Sequence, residues 1–262
     1  HPEFRHTPGV ETTTGPLGQG FANGVGMAYA ARLMADEFNP PQNRIIDHCV
    51  YAIVSDGDIM EGISSEAASL AGHWGLGNIV YLYDSNDISI EGSTELAFTE
   101  NVAARFAAYN WHVQTIDGHD FDQIEAALVA GRNETSRPSL IIAKTRIAKG
   151  SALKEGSEES HGAPLGADDI RASKIKMGCD PEQTFCVENE VYEIFRARKL
   201  ELQREYAGWQ KRFGETVTGD VKKRWDSFFS KPDVNAIRAS IPAFDPSKKF
   251  ATRSAGGTVI AS

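Results

Sequence analysis

The sequence predicts an α/β protein, a parallel sheet flanked by helices, and two observations carry that reading. Over residues 15–144, short β-prone apolar runs alternate with helix-like segments, most of ten or more residues, the pattern of parallel strands joined by right-handed crossovers. The apolar runs are continuous rather than alternating, as in strands buried on both faces.

In chain order, a Gly-rich turn at residue 15 leads into a predicted helix over 17–38, with Phe21, Val25, Ala28 and Met34 on its apolar side. Residues 47–55 contain Cys-Val-Tyr-Ala-Ile-Val and predict the first strand; 61–74 predict a helix; 78–84 (NIVYLYD) predict the second strand. A short helix over 99–110 has Thr99 as its candidate N-cap, a third strand covers 111–116, and Asp120 with Gln123 opens a helix over 120–133. The fourth strand is 139–144 (SLIIAK), after Pro138. Beyond Arg146 the character changes to a Gly/Ser-rich loop over 149–166, long charged helices over 187–213 and 221–229, and a linker-like Ile-Pro-Ala-Phe-Asp-Pro-Ser from 241.

The composition narrows the function classes. A formal charge of −9 argues against broad nucleic-acid binding, which needs a basic surface, but not against anionic ligands held by local groups. No apolar run approaches membrane-spanning length, and the opening His-Pro-Glu-Phe has neither region of a signal peptide. Cys49, Cys179 and Cys186 show no metal-binding spacing, and their odd number suits a reducing cytosol, so a cytoplasmic location is expected.

In a parallel sheet, ligands bind at the C-terminal strand ends. The first strand ends in Ser55-Asp56-Gly57-Asp58, a carboxylate followed by glycine and a helix; alone, this is more often a turn than a metal site. Asn86 lies thirty residues later at the end of the next strand, and a crossover of that length sets the two strand ends side by side. Asp56, Asn86 and the Ile88 carbonyl could then give three oxygens to one hard cation, Mg²⁺ or Ca²⁺, whereas the Cys or His set that zinc prefers is absent. Gly18-x-Gly20 precedes the first strand rather than following one, which disfavours a nicotinamide-dependent oxidoreductase. His48, His73, His112 and His119 read as structural or solvent-facing, and Glu61 as a helix cap.

The Asp-Gly…Asn arrangement resembles the thiamine-diphosphate motif. VSDGDIMEGISSEAASLAGHWGLGNIVYLYDSNDISIEGS resembles transketolases nearly residue for residue, as do the opening HPEFRHTPGVETTTGPLGQGFANGVGMA and the later SHGAPLG at 160–166. The resemblance covers nearly the whole chain and is thin over 174–249. It implies a diphosphate-binding (PP) domain over 1–240, lacking its N-terminal part, and a linker with the start of a pyrimidine-binding domain over 241–262. Asp56, Asn86 and Ile88 would hold the metal, Gly57 would admit the diphosphate, and Gly15, Pro16 and Leu17 would line the cofactor. His161 would touch diphosphate and substrate, His1 would hydrogen-bond substrate hydroxyls unless it is a frayed terminus, and Arg253 would grip the substrate phosphate, as a guanidinium fork suits.

The activity implied is transfer of a two-carbon ketol unit between sugar phosphates in the pentose phosphate pathway, with thiamine diphosphate and a divalent metal, by a homodimer. Dihydroxyacetone synthase, a related ketol transferase and a silent transketolase-like scaffold are the alternatives. The chain is expected to be a fragment, binding cofactor weakly and turning nothing over alone. Two departures from the family pattern stand out: Ser55 stands where many thiamine enzymes have glycine, and the loop over 147–154 (IAKGSALK) differs from the usual Gly-aromatic-Gly-Ser-Pro-Asn-Lys.

Overall fold

A computed structural model describes residues 3–262. Helix α1 spans Gln19–Phe38. It starts two residues later than the sequence suggests because Gly18 is left-handed, at φ 74°, and gives its N–H to Asp58 rather than to a helical turn. Strand β1 (Val50–Ser55) follows, and the region read as one helix from residue 61 is preceded by a separate turn of helix: α2 (Asp56–Met60) and α3 (Gly62–Trp74) join at Glu61, whose ψ of 139° is extended. Strand β2 (Ile79–Ser85) leads into a small antiparallel ribbon, β3 (Ile88–Ser89) with β4 (Gly92–Ser93), too short for any periodicity to reveal.

Helix α4 (Val102–Ala108) is capped by Asn101, which accepts from the Ala104 N–H, and not by Thr99. Strand β5 (His112–Asp117) precedes α5 (Phe121–Asn133), where Asp120 accepts from the N–H groups of Asp122 and Gln123 as its sequence suggests. Strand β6 (Ser139–Lys144) completes a four-stranded sheet, order β1-β2-β6-β5, parallel throughout.

The core lies between this sheet and α1, α3 and α4. Phe21, Tyr81, Phe106 and Trp111 pack as an aromatic cluster with ring centroids 4.9–6.1 Å apart, and both polar tips are satisfied: Tyr81 donates to the Phe21 carbonyl and the Trp111 indole to that of Ala68, each at 2.8 Å. Strands β2 and β6 are nearly buried throughout, as expected of central strands. Strand β1 corrects the two-faced reading: it is an edge, and Tyr51 and Ile53 are 51% and 79% exposed on the side away from α1.

Helix α6 (Ala167–Lys176) follows the long loop after β6, and α7 (Asn189–Thr216), α8 (Gly219–Phe229), α9 (Val234–Ser240) and α10 (Thr252–Ile260) complete the chain. Two compact units result. One takes the chain up to Asn39 with Ile46–Gln203; the other takes Pro40–Ile45 with Arg204–Ser262. The second has its own aromatic stack through Tyr206, Trp209, Phe213, Trp225 and Phe229, and the Trp209 indole donates to the Ile45 carbonyl at 2.8 Å. Among the described residues no helix is long and apolar enough to cross a membrane, and the three cysteines are free.

Candidate functional site

The parallel pairing of β1 with β2 places Ser55 opposite Asp84, so the Asp56 turn and the Asn86 turn leave adjacent strand ends, as the spacing requires. Ser55 caps α2 through a reciprocal box: its hydroxyl accepts from the Asp58 N–H, while the Asp58 carboxylate accepts from the Ser55 N–H at 2.9 Å. The serine in place of a glycine therefore has work of its own. The other Asp58 oxygen accepts the Gly18 N–H at 2.9 Å, tying the loop that carries Gly15, Pro16 and Leu17 to this turn. Leu17 lies against Gly57: a Cβ on Gly57 would stand 3.1 Å from a Leu17 methyl, which would have to give by a few tenths of an ångström. Asp58 was missed from sequence, although Ser-x-x-Asp at a helix start is a capping-box spacing that could have found it.

Asp56 is buried, at 3% exposed. Its Oδ1 accepts a hydrogen bond from the Tyr83 hydroxyl, and its Oδ2 is buried with no hydrogen-bond partner among the described residues. Burial raises the Asp56 pKa above its ordinary value, and the charges of Asp87 and Asp84 add to this; the Tyr83 hydroxyl opposes it, as does the nearby Asn86 backbone N–H, which does not reach hydrogen-bond geometry with either oxygen. Burial and the Asp56 contact also push the Tyr83 phenol up, so it stays a neutral donor. Tyr83 was missed from sequence because within VYLYD it reads as strand body, and only the β1–β2 register shows which residue it meets.

Asn86 and Ile88 are half-buried and form one turn: the Asn86 amide oxygen accepts the Ile88 N–H at 3.0 Å while its nitrogen faces Asp84 at 3.3 Å. Asp87 between them is left-handed, at φ 62°. A cavity of about 210 Å³ opens beside Asp56, lined by Tyr83, Ser85, Thr94, Thr115 and Lys144 among others. An orphaned carboxylate oxygen beside an amide and a carbonyl group is an all-oxygen set that suits Mg²⁺ or Ca²⁺. No cluster of three His, Cys, Asp or Glu among the described residues offers an alternative.

The structure thus brings together Asp56, Gly57, Leu17, Asn86 and Ile88. Gly15 and Pro16 are exposed on the same loop as Leu17. His161 is exposed at the end of a short 3₁₀ turn, Glu158–Ser160, and no hydrogen bond or ion pair among the described residues joins its ring to Asp56 or Asn86. Arg253 is exposed on α10 in the other compact unit. His1 lies outside the described residues. His112 and His119 are structural, as expected: one meets Ser139 at 3.1 Å and the other accepts the Arg146 N–H at 3.0 Å.

The loop that departs from the family pattern is anchored by Asp169. Buried at 2% exposure, this carboxylate accepts from the Ser151 and Ser173 hydroxyls and from the N–H groups of Ala152 and Leu153, at 2.7–3.2 Å. These bonds, the Ser151 hydroxyl foremost, hold it below the usual carboxylate range. Alanine at 152 supplies an N–H that proline cannot, so here the departure adds a bond.

Comparison with known proteins places these features in a family. The family model described as "Transketolase, thiamine diphosphate binding domain" matches residues 1–226. A transketolase of Geobacillus stearothermophilus is 44% identical over 99% of this chain, which covers 40% of that protein. Among solved structures, the transketolase from Leishmania mexicana superposes with a TM-score of 0.88 at 37% identity, over 100% of this chain and 39% of its own. A Pichia stipitis transketolase in complex with sedoheptulose-7-phosphate matches at TM-score 0.85 and 38% identity, over 100% of this chain and 39% of its own. The chain spans about 40% of the length of the curated relatives it matches.

Proposed function

This chain belongs to the transketolase family and carries its thiamine-diphosphate-binding domain, and on that premise we propose that it forms the diphosphate and metal half of a ketol-transferring active site. The observation that carries the reading is the buried Oδ2 of Asp56 at the β1–β2 strand ends, which has no hydrogen-bond partner among the described residues. An acceptor left without a partner costs about 1–3 kcal/mol, more when charged, and a cation bound there removes that cost.

In this reading Asp56 Oδ2, the Asn86 amide oxygen and the Ile88 carbonyl would hold Mg²⁺ or Ca²⁺, which would offset the negative charge of the diphosphate. Gly57 leaves room for phosphate oxygens at its backbone. The Gly15-Pro16-Leu17 loop, tied down through Gly18 and Asp58, borders the cofactor. Thiamine diphosphate, when bound, supplies the electron sink for breaking and remaking a carbon–carbon bond. His161 lies against diphosphate and substrate, His1 hydrogen-bonds substrate hydroxyls near the reacting carbon, and Arg253 grips the substrate phosphate. The substrates are sugar phosphates, the class seen in the Pichia stipitis complex, and the whole enzyme is a cytoplasmic homodimer of the pentose phosphate pathway.

Calorimetric titration of thiamine diphosphate into the protein, with and without Mg²⁺, tests the site. Weak binding that requires the metal is the expected result. Binding that is indifferent to Mg²⁺ and to chelator would refute the metal-dependent reading.

A further inference from the structure

We propose that Tyr83 is a positioning residue for the cation: its hydroxyl holds one oxygen of Asp56 so that the other is presented, free and oriented, to the metal. The inference rests on Asp56 being a metal ligand, and extends that reading to a residue that touches neither metal nor cofactor.

Three features on two neighbouring strands carry it. Tyr83 is buried at 3% exposure on β2, so its ring has one packed position. Its hydroxyl donates to Asp56 Oδ1, the first residue after β1, across the parallel pairing of the two strands. The second oxygen of the same carboxylate is buried and has no hydrogen-bond partner among the described residues. A buried carboxylate free to rotate would offer either oxygen in turn and would gain from turning Oδ2 toward the nearest donor. With Oδ1 occupied by a rigid phenol, rotation is blocked and the lone pairs of Oδ2 keep one direction. Hydrogen-bond partners of metal ligands act this way in general, and losing one costs about 10–100-fold in metal affinity.

Tyr81 supplies an internal control. It sits two residues earlier on the same strand, is also fully buried, and also donates its hydroxyl once, but to the Phe21 carbonyl in the core. Tyr83→Phe and Tyr81→Phe therefore remove the same atom from two buried rings, 3% and 0% exposed, and only one of them faces Asp56.

The test is Mn²⁺ affinity by electron paramagnetic resonance, with thiamine diphosphate present, for the parent, Y83F, Y81F and D56N, each checked for native circular dichroism. The rise in unfolding midpoint with added Mn²⁺ is a second readout on the same variants. The expected result is a drop of about 10–100-fold for Y83F, with Y81F keeping parental affinity. A Y83F variant that binds Mn²⁺ as the parent does, while D56N does not, would overturn the positioning role and leave the metal site standing. Equal losses in Y83F and Y81F would overturn it too, by showing a general effect of removing a buried hydroxyl. Mn²⁺ binding that survives in D56N, or is absent from the parent, would overturn the metal site and this inference together.

Discussion

Asp56→Asn is expected to do two opposite things: abolish metal-dependent binding of thiamine diphosphate and make the unliganded protein more stable. The loss follows from removing the one anionic oxygen of the proposed donor set, and should exceed the 10–100-fold typical of a group one step further out. The gain follows from the same atom. In the unliganded protein Oδ2 is a buried acceptor with no partner among the described residues, a desolvation cost of about 1–3 kcal/mol that a neutral amide partly relieves. The pH dependence has a definite sign. The Asp56 pKa is raised by folding above its ordinary 3.8, so the folded state binds more protons than the unfolded state between 3.8 and the folded value. Stability from this group is complete below 3.8 and is lost as pH rises through the folded value. The difference between parent and D56N in urea denaturation should therefore widen as pH rises from acid toward neutral, in D56N's favour, and Mg²⁺ with cofactor should reverse it. A variant less stable than the parent at neutral pH would show that Asp56 is an ordinary satisfied carboxylate.

The largest effect on folding is expected from Gly72→Ala. Gly72 is buried on α3 where that helix meets the end of α4, and a Cβ there would stand 1.7 Å from the Tyr109 carbonyl oxygen. The obstacle is backbone, which cannot swing aside. The junction is also held by the Trp111 indole on Ala68, so separating the helices opens the aromatic cluster. A cost of about 3 kcal/mol or more is expected, at the upper end for overpacked cores. Gly26→Ala is the matched control, because Gly26 lies inside α1 with nothing within 4 Å of an added Cβ. It should gain up to about 1 kcal/mol from helix propensity. Denaturation midpoints of both variants against the parent check the pair; similar shifts in the two would contradict the close approach of α3 and α4.

Much of this architecture was legible because its signals are local. The four strands and the helices between them come from continuous apolar runs and from caps such as Asp120 with Gln123, whose partners sit within one turn. The edge position of β1 was not legible. Val50–Ser55 is as apolar as a central strand, and only the order β1-β2-β6-β5 and the exposure of Tyr51 and Ile53 among the described residues show that it is an edge. The Asp56–Asn86 pairing was readable from one crossover length, since parallel neighbours fix which ends meet. Tyr83 was not, because its meaning depends on a residue 27 positions away that it touches only through the sheet register. The cap at Asn101 in place of Thr99 has a simpler cause: both residues can cap, and the helix starts where the chain leaves the 94–98 turn.

The central claim is that one cation sits on Asp56, Asn86 and Ile88. Crystals of the protein grown with Mn²⁺ and millimolar thiamine diphosphate, measured at the manganese absorption edge, test it most directly. A single strong anomalous peak is expected within bonding distance of Asp56 Oδ2, the Asn86 amide oxygen and the Ile88 carbonyl, gone in D56N crystals. Cofactor bound at these strand ends without a peak there, or a peak on other side chains, would contradict it.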